Sequence, residues 1–182
     1  MDKLAPSFLI AMPQLMDPNF KQTVVLLLEQ SEAGAMGVVV NRESDLGLQQ
    51  LCGSQNIPYA GDPQKRIRVG GPVQPEQGLV MFGDDFEDAE AQPAMDGLHV
   101  SASTVTLSRL CNLPGGRFHC YTGYAGWGPG QLEQEIDEHA WIVTEADART
   151  VLECPPEEMW RRVLTDNGLD PAALVPGGSA KA

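Results

Sequence analysis

Four glycines, two aromatic residues and a proline fall within the short segment from Gly123 to Glu133. Glycine is costly to order unless the backbone needs unusual torsion angles or a close approach. The segment therefore predicts a tight turn between a strand that ends near Tyr124 and a helix that begins near Pro129. Free N–H groups at the start of such a helix can hold a ligand. No nucleophile, base or set of metal ligands accompanies the turn.

Charge limits the partners that this chain can bind. It carries 25 acidic and 12 basic side chains, which give a formal net charge of −13 and a pI near 4.4. Nonspecific binding of DNA or RNA depends on neutralising phosphates with Lys and Arg, and the field of this chain repels a polyanion. We therefore expect no direct contact with nucleic acid.

Length and composition predict one domain. The 182 residues are 42% hydrophobic, enough for a substantial core. We expect a single domain over residues 1–170 and a disordered tail over residues 171–182. No secretory signal and no apolar run long enough to cross a bilayer are seen, so a soluble, cytoplasmic protein without membrane contact is expected.

Cysteine and histidine spacing argues against metal and redox sites. Cys52, Cys111, Cys120 and Cys154 include no C-x-x-C motif, so neither a zinc site nor a redox dithiol is indicated. The three histidines lack the spacing typical of metal ligands. His119 and Cys120 are neighbours on a predicted strand and should point to opposite faces. We expect no metal and no cofactor.

Apolar runs and turn residues predict a mixture of strands and helices. Strands are expected over residues 7–12, 23–28, 36–40, 66–69, 78–82, 98–101, 117–124 and 141–143. Helices are expected after Ser44 or Asp45, after Ser103 or Thr104, from Pro129 to about Glu138, after Thr144 and from Pro155. In the last helix, Glu157 should pair with Arg161 and Glu158 with Arg162. Hairpins come early and helices dominate later, so the fold class is α+β.

Four blocks of the sequence lie in a distinctive order. They are FLIAMP (residues 8–13) with DPNF (17–20), GAMGVVVNR (34–42), GGPV (70–73), and GYAGWGPGQLE (123–133) continuing to Ile136 with Trp141 after it. In this order they resemble the AlgH/YqgE family of bacterial proteins, over about residues 4–170. The resemblance implies a bifurcated mixed β-sheet folded into a flattened pseudo-barrel and flanked by helices. It also implies the label of transcriptional regulator, from a link to alginate production, without an established reaction, cofactor or DNA-binding motif.

Several positions depart from the family pattern. Gln77 stands where an Arg is expected and Phe82 where a His is common. Thr104-Val105 replaces an Arg-Asp pair, and Glu43 stands where a Pro commonly follows Asn-Arg. A shared chemistry that depended on these positions would be lost in this chain.

The candidate ligand site combines the family blocks that remain. It consists of Asn41, Arg42, Gly70, Gly71, Tyr124, Gly126, Trp127 and Gln131. We expect these residues to line one cleft, in which Arg42 supplies charge and Gln131 orients the ligand. The alternative explanation is structural: the glycines allow tight packing between strand and helix, and Trp127 fills the core.

The function expected from these observations is binding without catalysis. We expect a monomeric regulatory or accessory protein that binds a small polar ligand or a protein partner, with no catalytic residue. The alternative is an enzyme of unknown reaction, hydrolytic for example, that uses Arg42 and the helix start near Gly128 to stabilise negative charge.

Overall fold

The computed structural model describes residues 4–174 of the chain. These residues form ten strands and five α-helices. The strands are β1 (Ser7–Ala11), β2 (Val24–Ser31), β3 (Gly34–Val39), β4 (Glu43–Gly47), β5 (Arg66–Val69), β6 (Val73–Phe82), β7 (Gln92–Met95), β8 (Leu98–Ser101), β9 (Phe118–Trp127) and β10 (Trp141–Thr144). The helices are α1 (Leu48–Ser54), α2 (Thr104–Cys111), α3 (Gln131–Asp137), α4 (Ala148–Glu153) and α5 (Pro156–Asp166). All the predicted strands are present, and β4 and β7 are additional.

The strands form one mixed sheet that branches. Its main path runs β10-β1-β2-β3-β9-β6-β8-β7, with every neighbouring pair antiparallel. The branch consists of β4 and β5, and β5 pairs with β9 in parallel. The sheet curls into a half-barrel flanked by helices. The expected α+β fold with a bifurcated mixed sheet is confirmed.

The branch point lies along one edge of β9. There β3 pairs with residues 125–127, and β5 pairs with residues 121–122. The opposite edge is occupied by β6, which pairs with residues 118–122 and with Tyr124. The long strand β9 therefore pairs with β3 and β5 along one edge and with β6 along the other.

The chain crosses from one edge of β9 to the other at Gly70-Gly71. On the first edge, the Gly70 N–H donates to the Thr122 carbonyl at 2.8 Å. Only three residues later, Val73 pairs with Tyr124 on the opposite edge. This short connection must therefore pass directly over the β9 backbone.

The crossing demands residues without a Cβ atom. A Cβ on Gly71, whose φ is +152°, would lie 2.2 Å from the Tyr124 carbonyl carbon. A Cβ on Gly123, whose φ is +74°, would lie 2.2 Å from the Gly71 oxygen. Both contacts are with backbone atoms that cannot move aside without breaking the sheet. This explains why GGPV and the first glycine of the 123–133 segment occur together.

The sheet is buried on two faces, because side chains alternate along its strands. Phe8 and Ile10 of β1 join a core cluster with α4 and α5, whereas Leu9 and Ala11 face α3 on the other side. A third cluster lies between α1, α2 and strands β5, β6 and β9. Continuous apolar runs such as that of β1 are typical of strands buried on both faces.

Two predicted helix starts are wrong. Ser44 and Asp45 belong to β4, and α1 begins after Gly47. Thr144 ends β10, while α4 is capped by Asp147, whose Oδ1 accepts from the Thr150 N–H at 2.7 Å. Thr144 pairs with Phe8 of β1. Ser44 and Asp45 lie where the register of β4 with β5 is interrupted, and the Ser44 Oγ accepts from the Leu46 N–H at 3.1 Å.

Two other terminal predictions have different outcomes. Ser103 caps α2, and its Oγ accepts from the Val105 N–H at 3.1 Å, as expected. The predicted tail begins with a short 3-10 helix at Pro171–Leu174. The rest of that predicted tail, residues 175–182, lies outside the described residues.

The substitution Gly71→Ala tests the crossing. It should lower the free energy of unfolding by about 2 kcal/mol or more, because the new methyl group meets backbone atoms at a strained torsion angle. Urea denaturation followed by circular dichroism measures this change. Gly78→Ala in β6 is the control, since no atom lies within 4 Å of its added Cβ. Equal losses in the two variants would contradict the explanation.

Candidate functional site

The glycine-rich segment is mostly strand. Tyr124, Gly126 and Trp127 belong to β9, which continues three residues beyond its predicted end. The turn is confined to residues 128–130, where Gly130 has a φ of +74°. The following α3 starts at Gln131 and has only seven residues. The predicted turn and helix are therefore present, but the helix begins two residues after Pro129 and ends at Asp137.

A single carboxylate organises the tryptophans beside this turn. Oε1 of Glu135 accepts from the Trp127 indole N–H at 3.2 Å and from the Trp141 indole N–H at 3.0 Å. Phe20 packs against both rings, with centroid distances of 6.4 and 5.7 Å. Sequence reasoning missed Glu135 and Phe20, although Glu135 lies one helical turn after Gln131. We call Phe20, Trp127, Glu135 and Trp141 the indole cluster.

Gln131 belongs to the same network. Its Oε1 accepts from the Gly128 N–H at 3.0 Å, and its Nε2 donates to the other oxygen of Glu135, also at 3.0 Å. Both ends of the amide are used in closing the turn between β9 and α3. The structural explanation of Trp127 and Gln131 is therefore the better one.

Asn41 fastens the end of β3 to the start of β2. Its Oδ1 accepts from the Val24 N–H at 2.8 Å, and its Nδ2 donates to the Gln22 carbonyl at 3.0 Å. Gln22 has a φ of +54°, a left-handed conformation that is uncommon for a side chain of this kind. The Asn41 amide thus stabilises an unfavourable turn residue.

Arg42 holds the same loop at two further points. Its Nη1 donates to the Pro18 carbonyl at 2.6 Å, and its Nη2 donates to the Lys21 carbonyl at 2.9 Å. The guanidinium is half-buried and fixed in position, yet its partners are neutral. These contacts therefore leave the positive charge of the guanidinium without an acidic partner.

Arg42 lines a hollow together with two other basic side chains, Lys21 and Arg161. The hollow has a volume of about 330 Å³ and is lined by Lys21, Gln22, Thr23, Asn41, Arg42, Pro156, Glu157, Trp160 and Arg161. We call it the cation hollow. Within residues 4–174, no carboxylate lies within 4.0 Å of the charged atoms of its three basic side chains. Arg162 pairs with Glu158 at 2.7 Å, as predicted, whereas the predicted pair of Arg161 with Glu157 does not form.

Trp127 lines a different hollow. That hollow, of about 740 Å³, also includes Leu28 and Met36 and opens at the start of β3. Trp127 pairs with Ala35, and Asn41 lies six residues further along the chain, which is about 20 Å of extended backbone. The expected convergence on one cleft is therefore not found. The alternative that combines Arg42 with the helix start near Gly128 needs the same convergence.

The remaining predicted residues line neither hollow. Gly70 and Gly71 are packed against the β9 backbone, as described above. Tyr124 is half-buried against the core cluster that includes α4 and α5. Gly126 is exposed and pairs with Met36. That these residues bind a ligand stays a prediction.

Buried polar side chains that the sequence did not reveal lie on β5 and β9. Arg68 is only 4% exposed, and its Nη1 donates to the Val40 carbonyl at 2.8 Å. Its register partner Tyr121 is fully buried, and burial raises the pKa of that phenol to about 12. Burial and the nearby Arg68 charge lower the pKa of His119 to about 3, while its ring bonds the Leu152 carbonyl at 2.9 Å. These groups lie in the interior and line neither of the two hollows.

The described residues contain no group of three or more His, Cys, Asp and Glu side chains placed to hold a metal ion. Among the helices of the same residues, none has the length and hydropathy of a membrane-spanning segment.

Comparison with known proteins identifies the family. A model of the AlgH-like family matches residues 8–172. The chain belongs to the AlgH-like family. A UPF0301 protein of Myxococcus xanthus is 46% identical over 178 residues, which cover 97% of this chain and 98% of that protein.

Solved structures agree with this assignment. The solution structure of the AlgH protein from Pseudomonas aeruginosa matches this AlgH-like chain with a TM-score of 0.77 and 35% identity, over 99% of this chain and 95% of that one. A crystal structure of a protein from Corynebacterium diphtheriae matches with a TM-score of 0.73 over 88% and 85% of the two chains. At 23% identity, the second likeness shows the fold alone. None of these names states a molecular activity.

The substitution Glu135→Ala tests the indole cluster of this AlgH-like fold. It should lower the free energy of unfolding by about 1–3 kcal/mol, because two buried indole N–H groups lose their acceptor. Urea denaturation followed by tryptophan fluorescence measures the loss. Glu138→Ala removes an exposed carboxylate that bonds only Gln134 and serves as the control. A loss no larger than that of the control would count against the proposed network.

The pH dependence of stability tests the environment of His119. The pKa of His119 is lowered from 6.5 to about 3 in the folded chain, so below pH 6.5 only the unfolded chain takes up this proton. Stability should therefore fall as the pH drops from 6.5 towards 3, by up to about 1.4 kcal/mol per pH unit from this group. Urea denaturation at several pH values should give a shallower slope for His119→Leu than for the natural chain. His139→Asn is the control for losing an exposed imidazole, and an unchanged slope in His119→Leu would refute the assignment.

Proposed function

We propose that this AlgH-like chain is a non-catalytic accessory or regulatory protein that binds a small anionic ligand in the cation hollow. The observation that carries the proposal is the set of Lys21, Arg42 and Arg161 side chains, which share one hollow without a paired carboxylate. Of the ten basic side chains in residues 4–174, five pair with a carboxylate. Three of the other five share this one hollow, which favours an anion from outside.

The geometry of the hollow supports this proposal. Arg42 is fixed by two carbonyls, so little side-chain entropy is lost when an anion meets its remaining charge. Pro156 begins the eleven-residue helix α5, whose positive end faces the same space. Lys21 and Arg161 are exposed at the rim, where they can close on a bound group. Glu157 offsets part of the positive charge and gives the hollow a contact for a donor on the ligand.

The side chains of the hollow favour binding over catalysis. Its lining contains no cysteine, histidine or serine. The one hydroxyl, on Thr23, is buried and donates to the Phe20 carbonyl at 2.7 Å. No activated nucleophile with a base in reach is present among these lining residues.

The size and surroundings of the hollow define the class of ligand. A volume of about 330 Å³ suits a phosphate or carboxylate on a small molecule. A protein partner that presents such a group on a side chain would meet the same cations. Duplex DNA is disfavoured because the field of the whole chain repels it.

Titration with inorganic phosphate tests the proposal. Phosphate should bind the full chain with millimolar affinity, and Arg161→Gln or Lys21→Gln should weaken binding about 5–10-fold because each removes one charged contact. Isothermal titration calorimetry measures the affinity, and NMR shifts of the backbone amides near Arg42 and Pro156 locate the site. Duplex DNA should give no comparable change.

The adjacent arginine provides a matched control. Arg162 lies on the same helix but points outward and pairs with Glu158. Arg162→Gln should leave phosphate binding unchanged. Equal weakening in both arginine variants, or phosphate-induced shifts scattered away from the hollow, would refute the cation hollow as the site.

A further inference from the structure

Two cysteines that are distant in sequence lie in contact. Sγ of Cys52 and Sγ of Cys111 are 3.3 Å apart, although 59 positions separate them in the chain. Both side chains are fully buried in the cluster between α1 and α2. A dithiol was not predicted from the sequence, because the usual signal is a short C-x-x-C spacing and this pair is brought together by the fold.

The placement of the two residues suits a covalent bond. A disulfide requires the sulfur atoms to approach to about 2.05 Å. Cys52 lies on α1, a seven-residue helix that buries only Leu48 and Cys52. Cys111 is the last residue of α2. Leu51 also packs against the cluster, but the other four residues of this short helix are exposed, so a small shift of α1 can close the gap between the sulfurs.

Residues 55–60, which follow α1, are bonded to the backbone of both cysteines, and we call them the guarding segment. The Ile57 N–H donates to the Cys52 carbonyl at 2.8 Å. The Ala60 N–H donates to the Cys111 carbonyl, also at 2.8 Å. Burial raises the pKa of the Cys111 thiol well above its usual range, so the closed structure holds the thiol form. Reaction therefore requires this segment to open and admit an oxidant.

We propose that Cys52 and Cys111 form an intramolecular disulfide when the protein reacts with hydrogen peroxide. The thiolate of one cysteine attacks a peroxide oxygen, the O–O bond breaks, and water leaves after protonation of the departing oxygen. The second sulfur then attacks the resulting sulfenic acid, the S–O bond breaks, and a second water leaves. Two thiols are oxidised by two electrons, and hydrogen peroxide is reduced to two molecules of water.

The bond would fasten the branch of the sheet to the main path. On the branch side, α1 follows β4 directly. On the other side, α2 follows β8, a strand of the main path. Oxidation would thus hold α1 against α2 and stop the guarding segment from opening. This proposal is independent of the cation hollow.

Peptide mapping of the full chain tests the proposal. The folded protein is treated with hydrogen peroxide, denatured, alkylated and digested with trypsin without reduction. Every pair of successive cysteines is separated by at least one Lys or Arg, so the four cysteines fall on four different peptides. We expect two of the four thiols to escape alkylation, a mass loss of two hydrogen atoms, and one linked pair that contains Cys52 and Cys111. The thermal midpoint should rise on oxidation and return on reduction.

Single variants provide the controls. Cys52→Ala and Cys111→Ala should abolish the linked pair and the rise in thermal midpoint, whereas Cys120→Ala and Cys154→Ala should keep both. The mapping of the natural chain stands even if a variant fails to fold. A bridge that contains Cys120 or Cys154 would overturn the proposal. So would four intact thiols in the folded chain under conditions that oxidise the denatured chain.

Discussion

The passage of the chain over β9 is the constraint on which the rest of the structure depends. Gly71 lies in backbone contact with Tyr124, and Gly123 lies in backbone contact with Gly71. This contact lets one strand carry β3 and β5 on one edge and β6 on the other. The curl of the sheet, its branch and its two buried faces all follow from that arrangement. Glycine is needed here for close approach of backbones.

The loop that precedes β2 connects the two ends of the candidate site. Asn41 and Arg42 hold its backbone from the side of β3, and its Phe20 ring packs into the indole cluster. Residues of the DPNF, NR and GYAGWGPGQLE blocks thus meet through one loop. These contacts explain why the blocks occur together in the sequence. They do not explain why the positive charge of Arg42 has no acidic partner.

How far the sequence predicted the structure depends on the range of each interaction. Apolar runs located β1, β2 and β3 correctly, because burial on both faces leaves a continuous hydrophobic pattern. Thr144 misled because its pairing with Phe8 of β1 overrode its local capping chemistry. Ser44 misled because its hydroxyl bonds the Leu46 N–H within β4 instead of capping a helix. The candidate site was only partly predictable. Arg42 was singled out by its place at a strand end, but Arg161 entered the hollow through the packing of α5, which no local pattern encodes.

The shared use of β9 has a consequence for how the molecule opens. The strands β3, β5 and β6 all take hydrogen bonds from β9. None of them can separate from β9 without exposing backbone amides that are paired with the others. We therefore expect these strands to open as a single cooperative unit, with the slowest hydrogen exchange along β9. We expect fraying at the rims of the sheet, at β4, β7 and β10, which each have a single partner strand.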